Sequence, residues 1–305
     1  MAYQLIDGDP DESTVRQLTF VLFRPDGRCV LRPGRRLPTG TVLPGEHFLL
    51  DSCLRIPRQT VGFHPQRVHP YAADGTHLYV WADGDLLADH PADVVIADGA
   101  DLVPDAVRSF TTQSEASYYA DNVRLLEPAY LRGTTAQAGS GSSGDAARWR
   151  ARREMIVDGL DRDGTFLDVG CANGLLMESV HEWAAERGLA IEPYGVDLAP
   201  RLAALARQRL PRWADRIEVG NAIDYLPAGG RRFTFVHVLF DAVPVRRRAD
   251  LIRHALTTLV EPGGRLLASQ YQSGPSAGEV LRGLGFDVAG NAGANGASTA
   301  WLRKA

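Results

Sequence analysis

The stretch that decides the fold is residues 164–176, which read GTFLDVGCANGLL. An apolar run leads into a turn that carries Gly170 and Gly174, and an amphipathic helical pattern starts directly after the second glycine. Glycine lets the backbone turn tightly and approach a ligand closely. The start of a helix adds free N–H groups and the positive end of the helix dipole. The stretch therefore predicts a strand, a ligand-binding turn and a helix.

An acidic residue follows at the end of the next strand-like segment. This segment, PYGVD, ends at Asp197, 23 residues beyond Gly174. An acid at the tip of the second strand can accept hydrogen bonds from both hydroxyls of a ribose, and bonds to a charged group contribute about 1.5–3 kcal/mol each. The glycine turn and Asp197 together indicate a nucleoside-containing cofactor at the carboxyl end of a doubly wound sheet.

The residues of the turn distinguish between two cofactors. A dinucleotide-binding turn has glycine at three places, G-x-G-x-x-G, but Ala172 and Leu175 occupy the second and third places here. Asp168 lies just before the first glycine. Its carboxylate would repel a pyrophosphate and attract a cationic amino-acid group. The charge therefore favours S-adenosylmethionine over NAD.

The rest of the chain falls into parts of different character. Beyond residue 164, strand-like and helix-like segments alternate, which indicates βαβ units around a parallel sheet. The sequence of residues 285–304, GFDVAGNAGANGASTAWLRK, predicts two strands joined by a Gly/Asn-rich turn. Upstream, short β-like runs dominate. Residues 136–145, AQAGSGSSGD, lack an apolar partner for packing and indicate a flexible linker or mobile lid, which we interpret as native rather than as an engineered insertion.

Five motifs in order resemble those of the class I S-adenosylmethionine-dependent methyltransferases, over residues 146–305. They are FLDVGCANG at the glycine turn, VDLAP at the ribose-binding acid, GNAIDYLP at 220–227, FTFVHVLFDAVP at the fourth strand, and LVEPGGRLLAS at 259–269. The resemblance implies an α/β, Rossmann-like, doubly wound sheet with a C-terminal antiparallel hairpin. It also implies S-adenosyl-L-methionine as the cofactor.

The resemblance also implies roles for individual residues. The turn would lie along the methionine part, Asp197 would hold the ribose with the next residue against the adenine, and Leu239 would lie near the sulfonium. Trp149 and Arg153 are expected to cover the cofactor, with plain core packing as the alternative for Trp149. The residues assigned to the cofactor are Asp168, Gly170, Cys171, Ala172, Gly174, Asp197, Leu198, Asn221, Ala222 and Leu239.

Methyl transfer needs a nucleophile lined up behind the sulfonium methyl, and positioning can supply roughly 7–11 kcal/mol of the barrier. Asp241 falls at the tip of the fourth strand, where class I enzymes approach their substrate, and is our candidate for a base or a substrate anchor. His237 lies within that strand and is the second catalytic candidate, although a buried structural histidine is the favoured interpretation. Gln270 and Tyr271, just past the fifth strand, could line the acceptor pocket.

The front of the chain resembles another family. Residues 37–46, LPTGTVLPGE, resemble the start of a Nudix box, with Gly40 and Glu46 at the spacing of its first glycine and glutamate. A Nudix hydrolase then needs a helix of glutamates that hold magnesium. Pro57 is expected to break this helix. The acidic places hold Arg55, Arg58 and Gln59 at the strict spacing, or Ile56, Gln59 and Thr60 with one extra residue. We therefore expect a degenerate Nudix-like domain without a metal site, and a generic small β-rich domain is the alternative.

Composition limits the possible partners and compartment. The chain has 305 residues, 45% of them hydrophobic and 23% charged, and a net charge of −4. This balance argues against a general affinity for nucleic acid or anionic membranes, and we expect arginine runs such as 246–248 on a solvated surface. Three cysteines are too few for a disulfide framework. The chain shows neither a signal peptide nor a transmembrane run, so we expect a cytoplasmic protein.

The sequence thus predicts a β-rich Nudix-like domain over residues 1–110, a helical connector and Gly/Ser linker over 111–145, and a methyltransferase domain over 146–305. The expected reaction is methyl transfer to O, N or C of a small molecule, in specialised metabolism by analogy of fold. An RNA or protein acceptor, a non-catalytic cofactor-binding module and residual diphosphate hydrolysis are the alternatives. The front domain could bind, gate the substrate or support a homodimer.

Overall fold

The computed structural model forms two compact units. The first is Met1–Asp121 with Pro244–Arg247, and the second is Asn122–Val243 with Arg248–Ala305. None of the described helices is long and apolar enough to span a membrane. The structure describes residues 4–5, 10–46, 49–98, 104–142, 144–271 and 275–305.

The first unit is built on a mixed sheet. Its described strands follow the spatial order β1-β5-β6-β2-β3-β7, and β4 pairs with β2. The β2–β6 pair is parallel, and the other pairs are antiparallel. The elements are β1 Gln4–Leu5, β2 Gln17–Phe23, β3 Cys29–Leu31, β4 Thr39–Thr41, α1 Leu49–Val61, β5 Phe63–Asp74, β6 His77–Leu86 and β7 Val95–Ala97. Helix α2, Pro104–Leu131, begins in this unit and ends in the second.

Helix α1 runs through Pro57, so the prediction that this proline breaks the helix is wrong. A proline inside a helix costs roughly 3 kcal/mol. Burial offsets that cost, because Cys53, Ile56 and Val61 pack into the core against the sheet and each large apolar side chain gains about 1.5–3 kcal/mol.

Glu46 is held by an arginine from α1. Arg55 Nε donates to Glu46 Oε1 at 2.6 Å and Nη2 donates to Oε2 at 3.0 Å, and the hydroxyl of Ser52 also donates to Oε2. The hydrogen bond from Arg55 lowers the pKa of Glu46 to about 2. The described residues contain no cluster of three or more His, Cys, Asp or Glu side chains suited to a metal ion.

The interior of the first unit contains an arginine that we expected on the surface. Arg246 is 6% exposed. Its Nη1 lies 3.5 Å from Asp83 Oδ1, and its Nη2 lies 3.1 Å from Glu115 Oε1. The guanidinium also lies over the rings of Phe23 and Trp81, at 4.2 and 4.6 Å from their centroids. The solvated interpretation of this arginine run is therefore wrong for Arg246.

The second unit has the doubly wound architecture. Its strand order is β10-β9-β8-β11-β12-β14-β13, with parallel pairs from β10 to β12 and β14 antiparallel to β12. The strands are β8 Gly164–Val169, β9 Ile191–Asp197, β10 Ile217–Val219, β11 Phe233–Leu239, β12 Val260–Gln270, β13 Gly290–Ala294 and β14 Ala297–Arg303. The helices are α3 Ala146–Arg153, α4 Leu175–Glu186, α5 Pro200–Arg209, α6 Arg248–His254 and α7 Ala277–Gly283.

The strand order reverses direction beside β8, because β9 lies on one side of this strand and β11 on the other. In open α/β sheets, ligands bind at such a switch point, outside the carboxyl ends of the strands. The glycine turn follows β8 at this place. The predicted βαβ alternation and the C-terminal antiparallel hairpin are both confirmed.

Candidate cofactor site

The turn after β8 is compact and tied to the neighbouring strand. Gly170 and Gly174 adopt φ values of 89° and 79°, in the left-handed region that favours glycine. A Cβ on Gly174 would lie 2.6 Å from Leu210 Cδ1. The N–H groups of Gly170 and Cys171 both donate to Val196 O, at 2.8 and 3.1 Å. Both glycines are thus required by backbone geometry.

Asp197 supports this turn from the end of β9. Its Oδ2 accepts from Ala172 N at 2.7 Å, and its Oδ1 accepts from Ala199 N at 2.8 Å. The first bond holds Ala172 at φ 48°, a conformation that is uncommon for a residue other than glycine. Burial raises the pKa of Asp197 to about 6 against the opposing effect of the two N–H donors. Asp197 therefore shapes the turn and presents a carboxyl group at the strand end.

Asp168 is connected to a buried chain of polar side chains. Its Oδ1 lies 2.9 Å from Nδ1 of His237, and Nε2 of His237 lies 2.9 Å from the hydroxyl of Ser269. The Ser269 hydroxyl lies 2.7 Å from that of Thr299. His237 is only 1% exposed, and both of its ring nitrogens are engaged. These contacts support the buried structural interpretation of His237 and do not place it beside a reacting group.

Arg153, at the end of α3, lies between two aromatic rings. Its guanidinium carbon is 3.8 Å from the ring centroid of Trp149 and 4.3 Å from that of Tyr271. Burial lowers the pKa of Arg153, and Asp168 is one of the charges that oppose this shift. Its Nη1 is enclosed and has no hydrogen-bond partner among the described residues. Trp149 itself is core, because its indole N–H donates to Ser179 Oγ at 2.9 Å.

Asn173 is a turn residue whose role the sequence reasoning missed. Its Nδ2 donates to Ala136 O at 2.8 Å, and its Oδ1 accepts from Ser140 Oγ at 2.5 Å and from Leu175 N at 3.1 Å. Residues 136–142 therefore have a packing partner, contrary to expectation. An asparagine before a helix start is a common local capping signal and could have indicated part of this role.

The other predicted residues occupy several environments. Leu198 is half-buried directly after β9, Ala222 is buried after β10, and Leu239 ends β11. Cys171 points into the core beside Met177, and burial raises the pKa of its thiol. Asn221 and Gln270 are half-buried, as is Tyr271 apart from its enclosed hydroxyl, and Asp241 is exposed in the turn Phe240–Ala242.

Tyr130, near the end of α2, was not predicted as a site residue. Burial raises its pKa, and the carboxylates of Asp241 and Asp197 contribute in the same direction. Arg153 opposes this shift. Tyr130 therefore lies within electrostatic range of two predicted cofactor or catalytic residues and of Arg153. No local sequence pattern relates these positions, because α2 precedes the glycine turn by about one helix and a loop.

No protein-family model matches the chain, and no curated protein matches it. Among solved structures, a methyltransferase from Aquifex aeolicus is 15% identical, with a TM-score of 0.41, 56% of this chain covered and 100% of the other. A protein from Pyrococcus horikoshii is 14% identical, with a TM-score of 0.44 and coverages of 58% and 98%.

A third similar solved structure is that of a cyclase. The cyclase SpnF is 19% identical, with a TM-score of 0.38, 59% of this chain covered and 74% of the other. A single architecture commonly supports unrelated activities. The strand order and the antiparallel hairpin of the second unit define its class as an α/β, Rossmann-like, doubly wound fold. The reaction has to be argued from the site.

Proposed function

We propose that the chain is an S-adenosylmethionine-dependent methyltransferase that acts on a small molecule. The observation that carries this proposal is the charge arrangement around the glycine turn. Two buried carboxyl groups lie at the carboxyl ends of neighbouring strands, Asp168 one residue before the end of β8 and Asp197 at the end of β9. The buried guanidinium of Arg153 has an N–H without a partner among the described residues. The methionine part of the cofactor carries an ammonium and a carboxylate, and its ribose carries two hydroxyl donors. Each group has a complementary partner in this arrangement.

Each polar residue has a separate binding role in this proposal. Asp168 receives the ammonium, and Arg153 Nη1 donates to the carboxylate. The two oxygens of Asp197 each accept one backbone N–H and keep a further lone pair for a ribose hydroxyl. Pyrophosphate, by contrast, would meet two acidic side chains. The residues present therefore fit the sulfonium nucleoside better than a dinucleotide.

The remaining contacts follow from the resemblance in sequence. Leu198 would pack on the adenine, Asn221 and Ala222 would meet its edge, and Leu239 would lie near the sulfonium. The backbone of Gly170, Cys171, Ala172 and Gly174 would follow the methionine chain. These assignments are supported by the positions of the residues at or just beyond the carboxyl ends of β8, β9, β10 and β11.

The acceptor would bind in a cleft at the end of β12. This cleft has a volume of about 430 Å³ and is lined by Arg148, Ala151, Arg152, Tyr271, Asn295 and Gly296. Among the described residues, the lining contains two arginines and no acidic side chain, which favours an anionic acceptor. Burial raises the pKa of Tyr271 to about 12. Its enclosed hydroxyl therefore stays protonated at neutral pH and cannot serve as a base.

Bound S-adenosylmethionine would supply an electrophilic methyl group. The chain would contribute orientation, since a methyl transfer needs its nucleophile in line with the methyl. Asp241, in the turn after β11, and Gln270, the last residue of β12, are not among the residues that line the acceptor cleft. The role of Asp241 as a base or substrate anchor and that of Gln270 as an acceptor-lining residue therefore stay predictions. Arg153 and its two flanking rings would exclude water from the methionine end.

Calorimetry with S-adenosylhomocysteine tests the proposal directly. We expect one binding event per chain, and weaker binding by at least about tenfold for Asp197→Ala, which loses both ribose acceptors. Absence of binding to well-folded protein would overturn the proposal. Transfer of labelled methyl to RNA with a steep salt dependence would instead identify a nucleic-acid acceptor. Binding without turnover on any small molecule, RNA or protein would identify a non-catalytic module.

We further propose that the first unit is a Nudix-like domain without hydrolase activity. The proposal is supported by helix α1, which follows the Nudix-like segment, and by the Arg55–Glu46 pair, which neutralises the glutamate at the spacing of the first acid of the box. Magnesium-dependent cleavage of nucleoside diphosphate compounds would contradict it. The division at residues 110 and 145, a cytoplasmic location and a homodimer stay predictions.

A further inference from the structure

A line of polar side chains crosses the interior of the second sheet. Four strands, β8, β11, β12 and β14, contribute one residue each to this line, and all four residues are at most 2% exposed. We call them the polar line. In chain order they are Asp168, His237, Ser269 and Thr299. A buried polar group is costly unless it is hydrogen-bonded. Each residue in the line is hydrogen-bonded to the next, with 2.7–2.9 Å between their polar side-chain atoms.

The chemistry of these groups fixes the direction of the hydrogen bonds. An ionised carboxylate only accepts, so Nδ1 of His237 carries the proton and donates to Asp168 Oδ1. In that tautomer Nε2 accepts from the Ser269 hydroxyl, and Ser269 Oγ accepts from the Thr299 hydroxyl. The ring of His237 also stacks on Phe166, at 6.1 Å between centroids. The imidazole is therefore fixed in position and tautomer from both sides.

One oxygen of Asp168 is occupied by this arrangement, and the other is not. Oδ1 accepts from His237, whereas Oδ2 accepts no hydrogen bond from any described residue. Locking Oδ1 fixes the rotation of the carboxylate about its last bond. Oδ2 then points in one direction only and is available to a cationic group beside the glycine turn.

We propose that His237 is a positioning residue that orients Asp168 toward the ammonium of the cofactor. This inference rests on the proposed function, because it assumes that a nucleoside with an α-ammonium binds here. His237 does not touch that nucleoside. It acts through Asp168, and Ser269 and Thr299 keep its tautomer. Its effect should therefore be specific to ligands that carry the ammonium.

The two amide replacements of histidine separate this role from plain packing. The side-chain nitrogen of asparagine lies where Nδ1 lies in histidine, and that of glutamine lies where Nε2 lies. His237→Asn therefore keeps the hydrogen bond to Asp168. His237→Gln loses that bond and keeps only a hydrogen bond to Ser269. Calorimetry on the full chain would compare two ligands, S-adenosylhomocysteine and its deaminated analogue, which keeps the carboxylate.

We expect His237→Gln to weaken S-adenosylhomocysteine binding about tenfold, since the orientation of one charge-assisted bond is lost. Binding of the deaminated analogue should change by less than about twofold, and His237→Asn should bind both ligands nearly as the wild type does. If His237→Gln does not fold, Ser269→Ala is the second variant. It removes the hydrogen bond that fixes the tautomer of His237, and it should weaken S-adenosylhomocysteine binding by a smaller factor while leaving the deaminated analogue nearly unaffected.

Three other outcomes would overturn the inference. Equal losses for both ligands would show that His237 only supports the sheet. An unchanged affinity of His237→Gln for S-adenosylhomocysteine would show that Asp168 does not need it. If the wild type binds neither ligand, the proposed function itself fails, and this result is distinct from the first two because it requires no variant.

Discussion

Asp197 combines two hydrogen bonds to the backbone with a carboxyl group of raised pKa. Burial raises its pKa to about 6, and the N–H groups of Ala172 and Ala199 keep the shift from being larger. A carboxyl group whose pKa is higher in the folded state binds its proton more tightly there than in the unfolded chain. Folding stability from this group therefore falls as the pH rises from about 4 to about 6.

Ribose hydroxyls would stabilise the ionised form of Asp197, so cofactor binding should release a proton below about pH 6. We expect the affinity for S-adenosylhomocysteine to be nearly constant from about pH 8 to about pH 7 and to fall about tenfold by about pH 5. Calorimetry across this range would measure the change. Asp197→Asn should bind more weakly with a flatter profile, and a wild-type affinity independent of pH would contradict the role of Asp197.

The two left-handed glycines of the turn form a matched pair. Gly174→Ala would force alanine into the left-handed region and would also bring its Cβ against the buried side chain of Leu210. Gly170→Ala has only the conformational cost, because nothing lies within 4 Å of its added Cβ. We expect losses in the free energy of unfolding of about 2–4 kcal/mol and about 1–2 kcal/mol respectively. Urea denaturation without ligand would measure both, and equal losses would show that Leu210 moves aside freely.

At the scale of elements, the sequence predicted the structures that are determined by residues close together in the chain. The strand, turn and helix around Gly170 and Gly174 were predicted, as was the strand end at Asp197, because glycine conformation and strand alternation are encoded within a few residues. Helix α1 was predicted incorrectly at Pro57, because its stability comes from packing of Ile56 and Val61 on a sheet assembled from distant segments. The polar line escaped prediction for the same reason.

The segment at residues 136–142 is hydrogen-bonded to the glycine turn through Asn173. Replacing Asn173 by alanine removes its contacts with Ala136, Ser140 and Leu175, and each such bond contributes about 0.5–1.5 kcal/mol. We expect amide hydrogen exchange in residues 136–142 to accelerate about tenfold or more. Asn291→Ala, on an exposed strand position, is the control. Unchanged exchange in the Asn173 variant would mean that other contacts hold the segment.

Helix α3 allows a test of the proposed anionic acceptor. Arg148 and Arg152 line the acceptor cleft, whereas Arg150 on the same helix pairs with Glu154 and Glu186 instead. With S-adenosylhomocysteine present, we expect binding of a small aromatic carboxylate such as benzoate, and a loss of about tenfold in Arg148→Gln/Arg152→Gln. Arg150→Gln should bind as the wild type does. Equal losses in both variants would indicate only general attraction to the charge of the helix.

At the scale of the whole molecule, neither unit is a single continuous stretch of the chain. Residues 244–247 lie between β11 and α6 of the second unit, yet they form part of the first. Arg246 is the main cation beside Asp83, which is fully buried, and Val245 N donates to the other Asp83 oxygen at 3.0 Å. A sequence pattern cannot indicate this pairing, because 163 positions separate the two residues.

Arg246 should therefore be essential to the first unit. Arg246→Met keeps much of the apolar contact with Phe23 and Trp81 but leaves Asp83 buried without its cation. Breaking a buried pair from one side costs about 3–5 kcal/mol, because the remaining charge is not compensated. We expect limited proteolysis of the full-length variant to cut first within residues 10–98, and denaturant unfolding to show an earlier transition.

The cause of the stability lost in Arg246→Met can be tested by changing the protonation of Asp83. Burial already raises the pKa of Asp83, and Arg246 opposes that shift; removing the cation should raise the pKa further. The variant should then gain stability as the pH falls, because the folded state takes up a proton that the unfolded chain does not. Adding Asp83→Asn should recover part of the loss at neutral pH and abolish this gain. If the double variant is as unstable as Arg246→Met at every pH, lost packing rather than unpaired charge is the cause.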